Sequence, residues 1–583
     1  MNGLAYFPLL EQLKGYNRVA FKGDLIAGLT VWILLIPQTM AYAMLAGMPP
    51  IYGLYGGLIP PLMYGLLGTA RQLSLGPVAS SSLVILAGIS QVAAPESAYY
   101  IEIVILTGFL IGVGMLILGL FRLGFLAVLL SQPVIVGFTA AAGVIIGVSQ
   151  LKYLFGIPTP HFGHVFEIIL YTIQHLGETH WLSFAFCSGS VLLMLGIKRF
   201  FPKIPSTLAV SVLSILLTYW FRLDLLGLEI VKDVPQGLPH FVMPGFETEK
   251  LNDVIATVLV GIVIGVVESI SIAKALEIKS KTYKINPSQE LVAAGAARAL
   301  GGLFQSLPTS ASFTRSALNR ESGAQTGMAS VIMVIMTGLT LLFLTPLVYY
   351  MPKAVLGAIV FMAVRSLIDF KAARHLWHTH KRDFAMMLAT FLATLFISIE
   401  LGVATGVALS LLLVLYQSSR PHIAILGQLP NSREFRNVNR FPEAHQFDGV
   451  VIARFDAPLF FLNADYFSDF VQESVKSCTE DCQLFVLDGS SMTDIDSTGL
   501  RALEEAYRDL SRQNTAFYLA GLIGPVRDRL NKSGLAEKIG ADHQFLNVYE
   551  AVQSYLLQEK NNQEGIYWSE AAIQHNEKTN KKP

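Results

Sequence analysis

The chain has 583 residues, of which 53% are hydrophobic and only 14% charged, and its formal net charge is zero. Soluble domains carry charges on about a quarter of their residues, so this composition excludes an ordinary soluble protein. A neutral chain gives no electrostatic case for nucleic-acid binding. Three cysteines (Cys187, Cys478 and Cys482) do not form a disulfide framework, and we expect Cys478 and Cys482 to be ordinary thiols.

The charges are unevenly distributed. Residues 1–417 contain 44 charged side chains, about one in ten, whereas residues 418–583 contain 40, about one in four. We therefore predict a membrane domain followed by a soluble one. The predicted boundaries are a cytoplasmic N-terminal segment at 1–23, a transmembrane domain at 24–420, a linker at 421–440, a small α/β domain at 441–557 and a disordered tail at 558–583.

Fourteen apolar segments, some of them interrupted, follow the N-terminal segment. The first seven lie at about 25–45, 52–69, 75–92, 101–120, 124–150, 181–200 and 205–222, and the second seven at about 252–275, 288–305, 309–320, 323–346, 353–367, 383–399 and 401–418. Basic residues concentrate in alternate loops, which predicts cytoplasmic N- and C-termini and a plasma (cytoplasmic) membrane location, surrounded by membrane lipid.

One stretch between two apolar segments is unlike a continuous membrane helix. Residues 306–320 contain Pro308, six hydroxyl side chains, Arg315 and Arg320. A half-helix that begins near Ser310 explains this composition, because free backbone N–H groups at its start would face an anion. A polar loop between two spans is the alternative.

A second stretch resembles the first. It runs from Leu75 through Pro77 to Ser82, and Pro77 and Pro308 lie 231 positions apart. Asp24 and Asp253 are 229 positions apart, and Gln38 and Glu268 are 230 apart. These similar offsets predict two copies of one module. A module with seven spans must be inverted in the membrane, and interrupted spans at matching places indicate a transporter's central site.

The polar side chains in these segments predict the chemistry of that site. Glu268 lies in an apolar span, where a carboxyl group can load and release a proton, and a structural salt bridge with Arg315 is the alternative. Arg315 and two half-helix N-termini suit a small oxyanion. Gln38 and Tyr42 lie one turn apart on the first span and can add donors, although Gln38 also suits helix–helix hydrogen bonding.

Two further groups leave their interpretations open. His375, His378 and His380 fall in a basic loop, where a metal site and a solvated interfacial loop both account for them, and we expect no metal and no cofactor. In the soluble part, Asp496 can cap a helix that starts at Ser497. Ser497 and Thr498 are candidates for regulation by phosphorylation, and helix capping explains the same two residues.

These residues resemble the sulfate permease (SulP) family of anion transporters. The resemblance is carried by Ile36-Pro-Gln-Thr-Met-Ala-Tyr-Ala43, Glu268-Ser-Ile-Ser-Ile-Ala-Lys274, Asn286-Pro-Ser-Gln-Glu-Leu291 and Ser312-Phe-Thr-Arg-Ser-Ala-Leu-Asn319. The soluble part resembles a STAS domain, with Asp488 closing a strand and Asp496-Ser-Thr-Gly-Leu500 at a helix start.

The resemblance implies a polytopic α-helical protein with 14 spans in a seven-plus-seven inverted repeat, core and gate domains, an elevator-like cycle and a homodimer. It also implies that substrate meets Gln38 and Tyr42 on the first span, Val78, Ala79 and Ser80 on the third, and Ala311 and Ser312 on the tenth. Sodium-coupled members carry hydroxyl side chains where this chain has Ile272 and Phe313. We therefore expect protons rather than sodium to drive transport.

The leading hypothesis is a transporter, not an enzyme, that moves sulfate or a similar small oxyanion together with a proton. The alternatives are a bicarbonate or dicarboxylate symporter of the same fold, coupled to sodium or protons, and an uncoupled anion channel or exchanger. A membrane-tethered regulator that acts through a cytoplasmic partner of the STAS domain is a hypothesis from another class. A mere anchor, however, has no use for Glu268 or Arg315.

Overall fold

The structure is a computed structural model and describes residues 7–125, 131–160, 165–201, 205–232, 234–280, 283–365, 367–476, 478 and 482–562. The chain divides into two compact units, Met1–Ser410 and Leu411–Pro583. The boundary falls inside a long helix, ten residues before the predicted end of the transmembrane domain at 420.

The first unit is helical apart from two short strands. Its elements, together with the helix that leads out of it, are α1 Pro8–Gln12, α2 Arg18–Leu45, α3 Pro50–Tyr55, α4 Ile59–Leu67, β1 Ser74–Gly76, α5 Ala79–Ile89, α6 Ala98–Leu120, α7 Gln132–Ser149, α8 Leu151–Phe155, α9 Val165–Gln174, α10 Trp181–Phe200, α11 Ser206–Phe221, α12 Thr248–Ser280, α13 Pro287–Leu303, β2 Ser310–Ser312, α14 Phe313–Glu321, α15 Met328–Leu339, α16 Lys353–Val364, α17 Phe370–Thr379, α18 Lys381–Phe396 and α19 Ile399–Ser419.

Seven helices of the described residues are long and apolar enough to cross a membrane. They are Arg18–Leu45, Ala98–Leu120, Gln132–Phe155, Trp181–Phe200, Thr248–Ile278, Met328–Val348 and Leu401–Ser419. Other apolar segments are shorter or broken: the predicted span 52–69 is divided into α3 and α4 at Gly56–Leu58. Fourteen crossings therefore stay a prediction.

The first membrane helix begins earlier than the sequence suggested. Asn17 accepts hydrogen bonds from the backbone N–H groups of Val19 and Ala20, at 3.0 and 2.9 Å, and so caps α2 at Arg18. The helix therefore contains Lys22 and the buried Asp24. Asp24 accepts hydrogen bonds from Tyr16 and from the segment that precedes α15, which ties the start of α2 to the second half of the unit.

Helix packing repeats itself between the two halves of this unit. α2 packs against α15 and α14, while α12 packs against α6 and α5. Likewise α4 packs against α15, and α13 against α6. Exchanging the first set of helices for the second leaves this pattern of neighbours unchanged, as expected for two copies of one module. A further set of helices is connected in series: α18 packs against α7, α7 against α16 and α16 against α10, and α16 also contacts α2.

The two helix breaks meet in an antiparallel pair of strands. Ser74 pairs with Ser312, Leu75 with Ala311 and Gly76 with Ser310. The helices that follow begin at Ala79 and Phe313, so they are 234 positions apart. Pro77 lies between strand and helix, whereas Pro308 precedes its strand. The two prolines are therefore not equivalent, although both interrupt the helix because proline lacks a backbone N–H.

The second unit contains a six-stranded sheet flanked by helices. Its elements are β3 Ile423–Gln428, β4 Phe435–Asn437, β5 Val450–Phe455, α20 Ala464–Lys476, β6 Leu484–Asp488, α21 Ser497–Arg512, β7 Ala516–Ala520, α22 Gly524–Lys532, α23 Leu535–Ile539, β8 Gln544–Phe545 and α24 Val548–Asn562. The order is β4-β3-β5-β6-β7-β8, with β5 to β8 parallel and β3 antiparallel to both of its neighbours.

The strand topology differs from the prediction that residues 421–440 form a linker. β3 and β4 lie inside it, and Ile423 pairs with Phe455 on β5. Alternating apolar residues of β3, Ala424 and Leu426, are buried against the sheet's other strands. The soluble domain therefore starts near residue 423. At the other end α24 continues to Asn562, and residues 563–583 of the predicted tail lie outside the described residues.

Candidate functional site

The strand pair brings the starts of two helices together. α5 begins after Val78, whose side chain cannot cap it. α14 begins after Ser312, and Ser312 Oγ accepts a hydrogen bond from the backbone N–H of Arg315 at 3.3 Å. The half-helix predicted to begin near Ser310 thus begins at Phe313. Five predicted contact residues at these two starts are all buried: Val78, Ala79, Ser80, Ala311 and Ser312.

Arg315 is a buried cation with spare donors. Its side chain is 0% exposed, and Nη1 donates to the carbonyl oxygen of Pro77 at 2.9 Å. Nε and Nη2 have no hydrogen-bond partner in the described part of the chain. A Cβ on Gly76 would lie 3.1 Å from Nη2, so the glycine leaves room for the guanidinium. A buried charge with unsatisfied donors is costly.

Gln38 and Tyr42 lie on α2, which packs against both half-helices. Both side chains are buried, and Tyr42 interacts electrostatically with Arg315. The carbonyl oxygen Oε1 of Gln38 has no partner among the described residues. The alternative in which Gln38 links helices thus leaves this atom unexplained. The structure brings Tyr42, Pro77 and Arg315 to one place.

Glu268 is held by two serines, not by Arg315. Ser80 Oγ donates to Oε1 at 2.7 Å, and Ser310 Oγ donates to Oε2. The salt bridge with Arg315 that the sequence left open is not formed among the residues that the structure describes, because the guanidinium is turned towards Pro77. Glu268 also lines a cavity of about 30 Å³ with Val134, Phe138 and Val403 from α7 and α19.

Arg298 was missed by the sequence reasoning. It lies on α13, is 4% exposed and donates from Nε to the carbonyl oxygen of Thr309 at 2.6 Å. Its Nη2 donates to Ser310 Oγ at 3.0 Å, and that hydroxyl in turn donates to Glu268. A lone arginine in the Ala- and Gly-rich span 291–303 was the available signal, because charges at membrane depth are rare.

The two positions that bear on sodium differ in exposure. Ile272 is buried, and Phe313 is 58% exposed at the start of α14. Neither side chain carries an oxygen atom, the ligand that hard cations require.

In the second unit, Asp496 caps α21. Its Oδ1 accepts a hydrogen bond from the N–H of Gly499 at 2.7 Å, so the cap is Asp496 and neither Ser497 nor Thr498. Ser497 is exposed and Thr498 half-buried. Cys478 and Cys482 are free, and burial raises the pKa of the Cys482 thiol to about 12.

The three histidines of the basic segment do not share one loop. His375 and His378 lie on α17, and His380 directly precedes α18. No group of three or more potential metal-binding side chains is found among the described residues.

Comparison with known proteins identifies the family. Residues 21–390 match the sulfate permease family, and residues 441–554 match the STAS domain. The chain is 37% identical to sulfate transporter 4.1, chloroplastic, of Arabidopsis thaliana over 94% of this chain and 82% of that protein. It is 34% identical to high affinity sulfate transporter 2 of Stylosanthes hamata over 95% of this chain and 87% of that protein.

A solved structure agrees with this match. Murine Slc26a9, an anion transporter in the inward-facing state, superposes with a TM-score of 0.86, 26% identity and 94% coverage of each chain. The motifs, the paired helix breaks and these matches lead to one conclusion: the chain belongs to the sulfate permease family of membrane anion transporters and carries a C-terminal STAS domain.

Proposed function

We propose that this protein is a secondary active transporter that moves sulfate or a similar small oxyanion together with a proton. The observation that carries the proposal is Arg315, a fully buried guanidinium between two half-helix starts. Two of its nitrogen atoms have no hydrogen-bond partner among the described residues. Such a site offers a full positive charge and helix dipoles to an anion that has lost its hydration shell. The relatives named sulfate transporters support this class of substrate.

Gln38, Tyr42, Val78, Ala79, Ser80, Ala311 and Ser312 are the proposed substrate contacts alongside Arg315. Glu268 is the proposed proton carrier, because it is a lone carboxyl whose partners are neutral hydroxyl groups. A proton can bind to it without breaking a direct salt bridge, because none reaches its carboxylate from the residues that the structure describes. It also lines a cavity together with side chains of α7 and α19, which supports a role at the contact between its own helix, α12, and those two helices.

Transport is proposed to result from movement of the helices around the two half-helices relative to a second set of helices. The group with the half-helices acts as the core and moves in an elevator-like cycle against a gate formed around α7, α10, α16 and α18. The proposed architecture has 14 spans as inverted repeats, cytoplasmic termini, a location in the plasma membrane and a homodimeric assembly. The exchanged helix packing supports the repeat, since the contacts of α2 with α15 and α14, and of α4 with α15, have counterparts in those of α12 with α6 and α5, and of α13 with α6.

Uptake into proteoliposomes tests the proposal. Labelled sulfate, bicarbonate and fumarate are offered in turn, with and without an inward proton gradient, in sodium or potassium buffer. We expect sulfate to accumulate only with the proton gradient and equally in both salts. Strict dependence on sodium, or accumulation of bicarbonate or fumarate instead of sulfate, would contradict the proposed function. Passive flux without accumulation would indicate a channel or exchanger.

The STAS domain is proposed to support assembly or transport, by itself or through a cytoplasmic partner, without choosing the anion. Every proposed selectivity residue lies in the first unit, whereas the sheet of the second unit has its own core. Because that sheet begins at Ile423, the informative truncation ends at Arg420 and does not cut between β4 and β5. We expect lower uptake with an unchanged order of preference among anions. A changed order would refute this division.

A further inference from the structure

Arg298 is bound to the second helix break by the same kind of contact that Arg315 makes with the first. Arg298 Nε donates to the carbonyl oxygen of Thr309, and Arg315 Nη1 donates to that of Pro77. Arg298 has further acceptors in the carbonyl oxygen of Ala294 at 3.3 Å and the sulfur of Met115 at 3.0 Å. Each of its three nitrogen atoms thus has a partner, so it is a fixed charge, not a free anion ligand.

The fixed charge faces Glu268. Ser310 lies between the two, accepting from Arg298 and donating to the carboxylate, and the two charged groups interact electrostatically. The surroundings of Glu268 add Ser80 from α5 and the neutral side chains of α7 and α19. On α14 and α2, Arg315 and the phenol of Tyr42 interact with each other.

The net charge of the site is the sum of the charges on Arg298, Arg315 and Glu268. With Glu268 ionised, the two arginines and the carboxylate give the site a net charge of one positive unit. When Glu268 binds a proton, the carboxylate charge is lost and the site carries two positive units. A divalent anion then makes the loaded site neutral, and a neutral site has the smallest electrostatic cost of burial in a membrane.

We propose that Arg298 is a tethered cation that sets the charge of the site, so that protonation of Glu268 creates the match for a divalent oxyanion. This inference rests on the proposed function and adds a residue that determines specificity. Arg298 acts through Ser310 and Glu268 and does not touch the anion. It also supplies, from within the chain, the positive partner that a separate cation would otherwise give an ionised Glu268.

Tetrahedral anions of different charge test the proposal. Selenate is divalent and perchlorate monovalent, and both have the shape of sulfate. Displacement of bound labelled sulfate from purified full-length protein gives the ratio of their apparent affinities. The variants are Arg298→Gln, Arg298→Lys, Glu268→Gln and the double variant Arg298→Gln/Glu268→Gln. Lys274→Gln is the control, because Lys274 is exposed on α12.

In Arg298→Gln we expect the ratio of perchlorate affinity to selenate affinity to rise at least tenfold. In Arg298→Lys and in Lys274→Gln the same ratio should change less than threefold. Glu268→Gln should favour selenate at every pH, because its site permanently carries two positive units. The double variant should lose that preference at least tenfold. If Arg298→Gln does not fold, the comparison of Glu268→Gln with the double variant still tests the inference, because the double variant leaves no unpaired carboxylate.

Equal selenate preference in Glu268→Gln and the double variant would overturn the inference. Parallel uptake measurements in proteoliposomes separate it from the proposed function. Wild-type protein that binds selenate more tightly than perchlorate in an Arg298-dependent way, but accumulates no sulfate with a proton gradient, would contradict the function and leave the inference standing.

Discussion

The two helix breaks share a geometry but differ in charge. Each break has a short strand, a nearby proline and a half-helix, and the strands pair with each other. The first half of the unit contributes neutral polar side chains to the site, Gln38 on α2 and Ser80 on α5. The second half contributes the charged ones, Glu268, Arg298 and Arg315. The paired breaks therefore provide the shape of the site, whereas its charged side chains come from the second half of the unit.

Glu268→Gln gives position 268 the same side chain as Gln38, which lies 230 positions earlier. We expect this change to have the largest effect and to abolish accumulation of sulfate driven by a proton gradient. Anion binding and exchange across a membrane without a gradient should persist, because Arg315 is untouched. Uptake into proteoliposomes with and without a pH gradient measures both properties.

Glu277→Gln is the matched control for this change. Glu277 lies on the same helix and accepts a hydrogen bond from the N–H of Ile285 at 3.3 Å, outside the relay around Glu268. Its coupled uptake should stay near the wild-type value. Undiminished gradient-driven accumulation in Glu268→Gln would remove the proposed proton carrier.

Arg315→Ala removes the charge that faces the anion. We expect the apparent affinity for sulfate to fall about 30-fold, corresponding to about 2 kcal/mol, since a buried charge-assisted contact is lost while the helix dipoles remain. Binding of labelled sulfate to purified protein measures the change. Arg374→Ala, an exposed arginine on α17, is the control. Wild-type affinity in folded Arg315→Ala protein would mean that this arginine serves only to hold Pro77.

Ser80→Ala tests a direct link between the first break and the carboxylate of Glu268. It removes the 2.7 Å hydrogen bond to Glu268, and a bond to a charged group is worth about 1.5 kcal/mol, or roughly tenfold in coupled uptake. Ser81→Ala should cost about threefold or less, because Ser81 Oγ donates only to the carbonyl oxygens of Val78 and Pro308. Equal losses in both variants would speak against a special role for Ser80.

Glu504 lies on α21 in the second unit, and we expect Glu504→Gln to have the smallest effect of these substitutions. Hydrogen bonds from Lys538 and Arg508 lower the pKa of Glu504 to about 2. A lowered pKa stabilises the folded state above the pKa of the unfolded chain, near 4.3, and this stabilisation disappears as the pH falls towards about 2. At pH 7 we expect amide hydrogens of α23 to exchange about two- to fivefold faster in the variant.

Hydrogen exchange of the full-length protein at pH 7 and below pH 3 measures this difference. The variant and the wild type should differ at pH 7 and converge below pH 3. Arg501→Gln is the control, since its pair with Glu505 is exposed and long, at 3.9 Å. A difference that persists unchanged at low pH would show that the Glu504 charge is not its cause.

The sequence by itself determined where this chain is interrupted and which charges matter there. Glu268 and Arg315 could be recognised because a charge in an apolar segment is costly and needs a reason. The breaks could be recognised because proline disfavours a continuous helix and small and hydroxyl residues follow it at both places. Asp496 could be assigned as a helix cap from its place before Ser497, a local relation that needs no tertiary structure.

Tertiary structure alone decided which groups meet. Ser80 and Ser310 are 188 and 42 positions from Glu268, and no spacing rule pairs them with it in preference to Arg315. Arg298 was overlooked because its role depends on a carbonyl and a hydroxyl that another segment brings within reach. The strands at 423–428 and 435–437 likewise gain their identity only by pairing, since an isolated short segment has no reason to be a strand until a neighbour satisfies its backbone hydrogen bonds.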